Sequence, residues 1–368
     1  MIKAEVVADS LSPQGDRLIS LLVTFPRIIL AEVNTHRMLS KNTSSSRAIP
    51  FNKMVESVQN DPFIPIAWQK EHKGMQGSEY INDENDIWLA KANWLRARDY
   101  AIDYAKHNNE QVGVTKQLCN RLLEPFMWTT MLITGSREGW DNFFKLRCPQ
   151  YHFPVDTHFR YKSKKDCIAA HSNPINLEIF EKFSTVDWLK INEGQAEIHM
   201  MALAESIWDS VNESKPKQLQ TGEWHIPFEN KINLQDWYNN NKRPTVAFWN
   251  ELEGYEMDKY KVKVSTAMAA HTSYTVVSNE AVKDYSRWVE LHDKLIAYDP
   301  PHSSPLEHCA KVMGYNEYYD YLKTNGEVID YTLDGDNIYS ERSFGWCGPY
   351  KGFMSYRYFI DNKINAFN

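Results

Sequence analysis

The stretch LISLLVTFPRIILAEVNTHRMLSKNTSSSR, residues 18–47, sets the expectation for the fold. Its first eight residues form an apolar run that reads as a buried strand. Pro26 then suits the first turn of a helix, where its fixed φ is already correct and its missing N–H costs nothing. A helix over residues 26–38 would place Leu30, Val33 and Met38 on or near the buried face. It is expected to fray into Ser40–Arg47, whose short polar side chains compete with the backbone for hydrogen bonds.

Working outward, residues 51–85 carry Pro, Gly and Asn punctuation and read as loop. From Asp86 to His107 the spacing of Trp88, Leu89, Ala92, Leu95 and Ala105 fits an amphipathic helix. Further helices are expected over Val114–Leu123, Gly139–Leu146, Gln195–Val211 and 279–297, the last capped by Ser278 or Asn279. Phe126–Ile133 is apolar and reads as a second strand. Residues 148–192 look inserted, 214–245 read as a polar excursion, and 325–368 form an aromatic-rich extension without a clear period. The fold class expected is α+β, a mixed sheet packed with several long helices, in one catalytic domain spanning 1–368.

Composition narrows the function. Hydrophobic residues make up 42% and aromatics 13%, enough for a sizeable core and against disorder. The 41 basic and 48 acidic residues leave a net charge of −7, with no basic stripe, so polymeric nucleic acid is not the expected partner. No run is long and apolar enough for a signal peptide or a membrane span, and a cytoplasmic location is expected. The five cysteines (Cys119, Cys148, Cys167, Cys309, Cys347) are odd in number and form no CxxC pair, against a disulfide framework or a zinc site.

The chemistry begins at residues 35–47. An imidazole and a guanidinium (His36, Arg37) stand beside a hydroxyl-rich turn that ends in Arg47. Loop N–H groups, serine hydroxyls and a guanidinium that binds an oxyanion through two parallel bonds together make a phosphate cradle.

The order of these residues resembles the flavin-dependent thymidylate synthases, which carry an Arg-His-Arg pattern, seven residues, then Ser. The match lies at His36, Arg37, Ser40, Asn42, Ser45 and Arg47; Thr35, Thr43 and Ala48 depart from it. A second segment, Arg121-Leu-Leu-Glu-Pro125 followed by WTTMLIT and then Asn142-Phe-Phe-Lys-Leu-Arg147, resembles the family's run into a strand and its closing Leu-Arg; GSREG between them is one residue longer than the family pattern, at Arg137. A third, Ala269-Ala-His-Thr-Ser273-Tyr274 with His302-Ser-Ser304-Pro-Leu-Glu307-His308, resembles strings that ordinary members carry near their start. Gln195–His199 resembles the helix after Leu-Arg. Pieces that come first in the family come last here, so the resemblance implies a circular permutation, which compact domains with neighbouring termini accommodate.

The resemblance implies FAD as cofactor, NADPH and methylene-tetrahydrofolate as co-substrates, and methylation of dUMP to dTMP in a homo-oligomer, a tetramer or a dimer. It assigns Arg147 and His302 to catalysis. The nucleotide falls to Glu32, Ser45, Ser46, Arg47, Arg121 and Arg147, and the flavin to His36, Arg37, Met38, Asn142, Ser273, His302, Ser304 and Glu307. No metal is expected. Flavin chemistry needs no protein nucleophile. Consistently, Cys148 and Cys309 read as buried thiols behaving as small hydrophobes. Hydroxymethylation of dUMP or dCMP is the alternative reaction, and an inactive nucleotide-binding scaffold is the alternative of another class.

Overall fold

The computed structural model describes residues 1–74, 77–232, 255–274, 285–324, 330–331, 337–338 and 350–367. The apolar run becomes β2 (Arg17–Pro26), the middle strand of a five-stranded mixed sheet. It pairs antiparallel with β1 (Lys3–Leu11) and with β4 (Trp128–Ser136). Beyond β4 the sheet ends at β3 (Ser40–Thr43), and β7 (Lys217–Gln218) adds parallel to β1. A strand apolar on successive residues suits a sheet covered on both faces. Ile19, Leu21, Val23 and Phe25 pack on α5 (Arg137–Arg147) and α9 (Ile198–Glu213) through Trp140, Phe143, Phe144, Met200, Leu203 and Ile207. Each such burial contributes roughly 1.5–3 kcal/mol.

The other sheet face is covered by the C-terminal half. There, α10 (Tyr255–His271) and α11 (Tyr285–Ala297) share a core with β8 (Trp224–His225), β9 (Ala310–Val312), β12 (Phe353–Ser355) and α14 (Tyr356–Asp361). Leu18 joins this layer through Leu219, Ala310, Val312, Tyr350 and Phe353. α12 (Ser303–Leu306) and α13 (Tyr315–Thr324) flank β9, and β10 (Asp330–Tyr331) pairs with β11 (Asn337–Ile338). The result is the α+β class expected. Residues 151–190 fold into the β5 (Tyr151–Phe153) and β6 (Asp156–Tyr161) hairpin with α6 (Lys164–Ala170), α7 (Pro174–Glu181) and α8 (Thr185–Lys190), around a small core of Tyr151, Phe153, Cys167, Phe180 and Trp188.

Several local expectations change. Pro26 ends β2 rather than opening a helix; a short 3-10 turn (Arg27–Ile29) leads into α1, which covers only Leu30–Asn34. The Thr35 hydroxyl donates to the Glu32 carbonyl at 2.6 Å, a local bond that competes with helix continuation. Met38 therefore lies past the helix and is exposed, while Val33 is buried as expected. Ser40–Thr43 does not fray: its backbone pairs with β4, and Ser40 and Asn42 are buried. Residues 51–85 contain α2 (Phe51–Asn60), whose buried Phe51, Met54, Val55 and Val58 follow helical spacing.

The long helix expected from Asp86 is α3 (Glu84–Glu110), but it is turned differently. Ile102 and Ala105, with Trp94 and Ala101, face the core, whereas Trp88 and Leu89 are exposed. After α4 (Lys116–Cys119) the expected helix over 114–123 tightens to 3-10 geometry through Asn120–Phe126, a stretch containing Pro125. Helix α9 starts at Ile198, three residues late, where Glu197 caps it. Within the stretch 214–245, the described residues 214–232 supply β7 and β8 and bury Leu219, Trp224, His225, Ile226 and Phe228. Ser278, Asn279 and Cys347 lie outside the described residues. Among the described residues no helix is long and apolar enough to cross a membrane, and no group of His, Cys, Asp and Glu could hold a metal ion.

A row of polar side chains fastens the C-terminal half to the sheet. His225 lies between the Ser10 and Ser20 hydroxyls, 2.8 Å from each. Ser20 is 2.6 Å from Thr134, which is 2.8 Å from His308 Nδ1. Burial holds both imidazoles neutral, depressing each from 6.5 to about 3. The unfolded chain takes up these protons below pH 6.5, while the folded chain resists until about pH 3. Their contribution is therefore complete above pH 6.5 and falls as pH drops toward 3, by about 1.4 kcal/mol per imidazole per pH unit. Urea midpoints measured across this range should decline for the wild type and decline less for His225→Gln; parallel profiles would show that His225 does not titrate in this way.

Candidate functional site

The site is built where the loop after α1 lies along α5. Gly139 permits the approach, since a Cβ there would stand 3.0 Å from the Met38 carbonyl oxygen and 3.2 Å from a Leu39 methyl. His36 is buried, its ring edge-on to Phe143 at 4.9 Å. Arg147, the last residue of α5, donates from Nε to His36 Nε2 at 3.0 Å and from a terminal nitrogen to Glu32 at 3.1 Å. A guanidinium can donate to Nε2 only if that nitrogen is unprotonated. Burial, followed by the positive charges of Arg147 and Lys41, holds the His36 pKa down at about 4, so the ring is a neutral acceptor at pH 7. Glu32, His36 and Arg147 thus form one unit in which the guanidinium is aimed by a carboxylate and an imidazole together.

Lys41 and Asn42, on β3, connect this unit to the far end of the chain. The Asn42 side-chain amide donates to the Ala269 carbonyl and lies 3.4 Å from the Ser273 hydroxyl, while its oxygen accepts from Ser304 at 2.9 Å. The backbone N–H of Ser45 also donates to the Ser273 carbonyl, at 2.9 Å. Strings 227 and 262 residues away along the chain therefore meet at one carboxamide. Lys41 donates to the His36 carbonyl, and desolvation lowers its pKa against the attraction of Glu307. Glu307 itself pairs with Arg357 at 2.5 Å. His302 is exposed, with Tyr298 edge-on at 4.8 Å. Arg37, Met38 and Asn142 are exposed, Asn142 one turn beyond Gly139.

The serine-rich turn differs from the phosphate cradle expected. Ser46 donates inward to Glu124 at 2.6 Å, and Arg27 braces that carboxylate at 3.2 Å while donating to the Ser44 carbonyl. A hydroxyl committed to a carboxylate is turned away from an incoming anion, so Ser46 serves the turn's architecture. Asn120 ties down the carbonyls of Ser46 and Ile49, so Arg47 and Arg121, both exposed, leave the backbone at neighbouring points. Ser45 remains half-exposed beside them.

Sequence reasoning missed Arg27, Lys41, Glu124 and Arg357, each a charged residue placed by partners far away in the chain. No local pattern marks them. Cys148 and Cys309 are buried as expected, and burial pushes both thiols up, Cys309 to about 12, which rules out a resting thiolate at neutral pH.

No protein-family model and no curated protein matches the chain. Among solved structures it is similar to the UMP/dUMP methylase PolB from Streptomyces cacaoi bound with 5-Br dUMP, at 14% identity and a TM-score of 0.34, over 51% of this chain and 93% of that one. It is also similar to thymidylate synthase X from Helicobacter pylori with FAD and dUMP, at 12% identity and a TM-score of 0.23, over 48% and 71% respectively.

The contact between Arg147 and His36 has a direct readout. Replacing Arg147 by Met removes one of the two charges that depress the imidazole but leaves its burial, the larger cause. The His36 pKa should rise from about 4 and stay below 6.5, as followed by NMR titration of the ring. A pKa unmoved by Arg147→Met would mean that the two side chains do not meet in solution.

Proposed function

We propose that this protein is a flavin-dependent enzyme that methylates dUMP at C5 to give dTMP, with methylene-tetrahydrofolate and NADPH as co-substrates. The observation that carries this reading is the convergence on Asn42. Ser273 and Ser304, from the two strings in the second half of the chain, meet β3 next to the unit of Glu32, His36 and Arg147. Such a meeting is what a permuted chain requires if the three segments are to serve one site. The permutation, with 148–192 and 214–245 as insertions, is part of this proposal, as is assembly into a homo-oligomer.

The donor set suits a flat ring system carrying phosphates. Arg37, Asn142, His302 and Ser304 are exposed donors, Ser304 bonded to the buried Asn42, and Arg47 and Arg121 are exposed cations available to a nucleotide phosphate. FAD would be held by His36, Arg37, Met38, Asn142, Ser273, His302, Ser304 and Glu307, and when bound would supply hydride-transfer chemistry. Arg147 would hold the carbonyl edge of the pyrimidine and stabilise negative charge that develops on it, an electrostatic role that works best when the donor is oriented beforehand. Glu32 and neutral His36 provide that orientation. In the overall reaction the folate gives up its methylene carbon, NADPH provides the reducing hydride, and the C5 proton of dUMP is released to water.

Purified protein should be yellow, bleach with NADPH without oxygen, and release tritium from dUMP labelled at C5. Arg147→Ala should lower turnover by about a hundred- to a thousand-fold, with flavin still bound. Product analysis with dUMP and dCMP separates methylation from hydroxymethylation. A colourless protein that takes up no added FAD, or an Arg147→Ala variant with full turnover, would defeat the assignment.

A further inference from the structure

Lys41, on the edge strand β3, stands between two parts of the site that come from opposite ends of the chain. Its ammonium donates to the His36 carbonyl and feels the attraction of Glu307. An ammonium carries three donors and no acceptor. Among the described residues that carbonyl is the one hydrogen-bond partner of Lys41, and no carboxylate forms an ion pair with it. Lys41 is half-buried, and desolvation lowers its pKa below the ordinary lysine value. A cation drawn partly out of water without a paired anion is costly.

The nearby carboxylate is kept from it. Glu307 accepts from Arg357 at 2.5 Å, and Arg357 is anchored along α14 by Asp361 at 3.0 Å. Tyr350 fixes the backbone of the same residue by donating to the Glu307 carbonyl at 2.9 Å. Glu307 is thus held twice by the stretch 350–367, and its attraction for Lys41 acts at a distance. We propose that Lys41 binds a phosphate group of the ligand, and that Arg357 is a positioning residue that keeps Glu307 from neutralising it.

The chemistry around Lys41 suits a phosphate. Arg37 follows the carbonyl that Lys41 holds, is exposed, and has no carboxylate partner among the described residues. An oxyanion with several oxygens can take donors from the ammonium and the guanidinium together, each bond strengthened by charge. Asn42, the next residue, brings Ser304 to the same edge of the sheet. The inference rests on the proposed function for the molecule that carries the phosphate, the diphosphate of FAD or the monophosphate of dUMP, and not for the phosphate itself.

Calorimetric titration of the full chain with inorganic pyrophosphate, FAD and dUMP tests this. The wild type should bind pyrophosphate, and Lys41→Met should weaken that binding by at least about tenfold with unchanged circular dichroism, while Lys41→Arg retains most of it. Arg357→Met should weaken it as well, because the released Glu307 pairs with Lys41. Arg357→Met/Glu307→Gln should recover it, which a purely structural role for Arg357 would not allow. A loss for FAD in Lys41→Met assigns the site to the cofactor's diphosphate, and a loss for dUMP assigns it to the nucleotide. Wild-type binding of all three probes by Lys41→Met would overturn the proposal, as would a wild type that binds none of them. A double variant no better than Arg357→Met would overturn the role of Arg357. A wild type that binds pyrophosphate but not FAD would defeat the flavin reading and leave this one standing.

Discussion

The carboxamide of Asn42 is where three distant runs of chain are held in one arrangement. One side chain offers both donor and acceptor, so it can take the Ala269 carbonyl and the Ser304 hydroxyl at once. It is buried, and leaving any of these partners unmatched away from water would cost about 1–3 kcal/mol. Apolar packing between the sheet and the C-terminal half tolerates sliding, because it is not directional. Hydrogen bonds at Asn42, and those linking Ser20 and Thr134 to His225 and His308, are directional and fix the register of the two layers. The position of Ser273 and Ser304 next to β3 follows from that register.

Charge in the same region is balanced from within. Arg147 is held by Glu32, Arg357 by Glu307, and Arg27 by Glu124. Each guanidinium is thereby pointed before any ligand arrives, which reduces the reorganisation a bound anion would demand. His36 takes part as a neutral acceptor, since a protonated ring would repel the guanidinium it orients. The exposed cations Arg37, Arg47 and Arg121 stand outside these pairs and face solvent. In the proposed reading Arg147 orients the pyrimidine ring, Arg37 meets the flavin, and Arg47 and Arg121 meet the nucleotide phosphate.

How much of this was legible in the sequence depended on how local the cause was. The apolar run of β2, the strand and helix of residues 128–147, and the long helix from residue 84 are set by side chains close together in the chain, and they could be read. The short polar run Ser40–Thr43 could not. Its propensity favours a frayed end, and it becomes a strand because β4 offers a free edge and the C-terminal half offers partners for Ser40 and Asn42. The direction of α3 was missed for a related reason: both sides carry large apolar residues, and only the position of α2 and of the 120–126 turn selects Trp94 over Trp88.

The sequence alone determined the class of fold, the depth of the β2 core, the absence of any thiol pair at CxxC spacing, and the three motif segments around Arg37, Arg147 and Ser304. Tertiary structure alone decided that Arg147 meets His36 and Glu32, that Ser46 turns inward to Glu124, and that Ser273 and Ser304 join Asn42. The division has a physical basis. Periodicity and backbone propensity act over a few residues and leave their mark in the order of the chain. A hydrogen bond between residues 262 apart depends on which surfaces finally pack, and no local pattern encodes that.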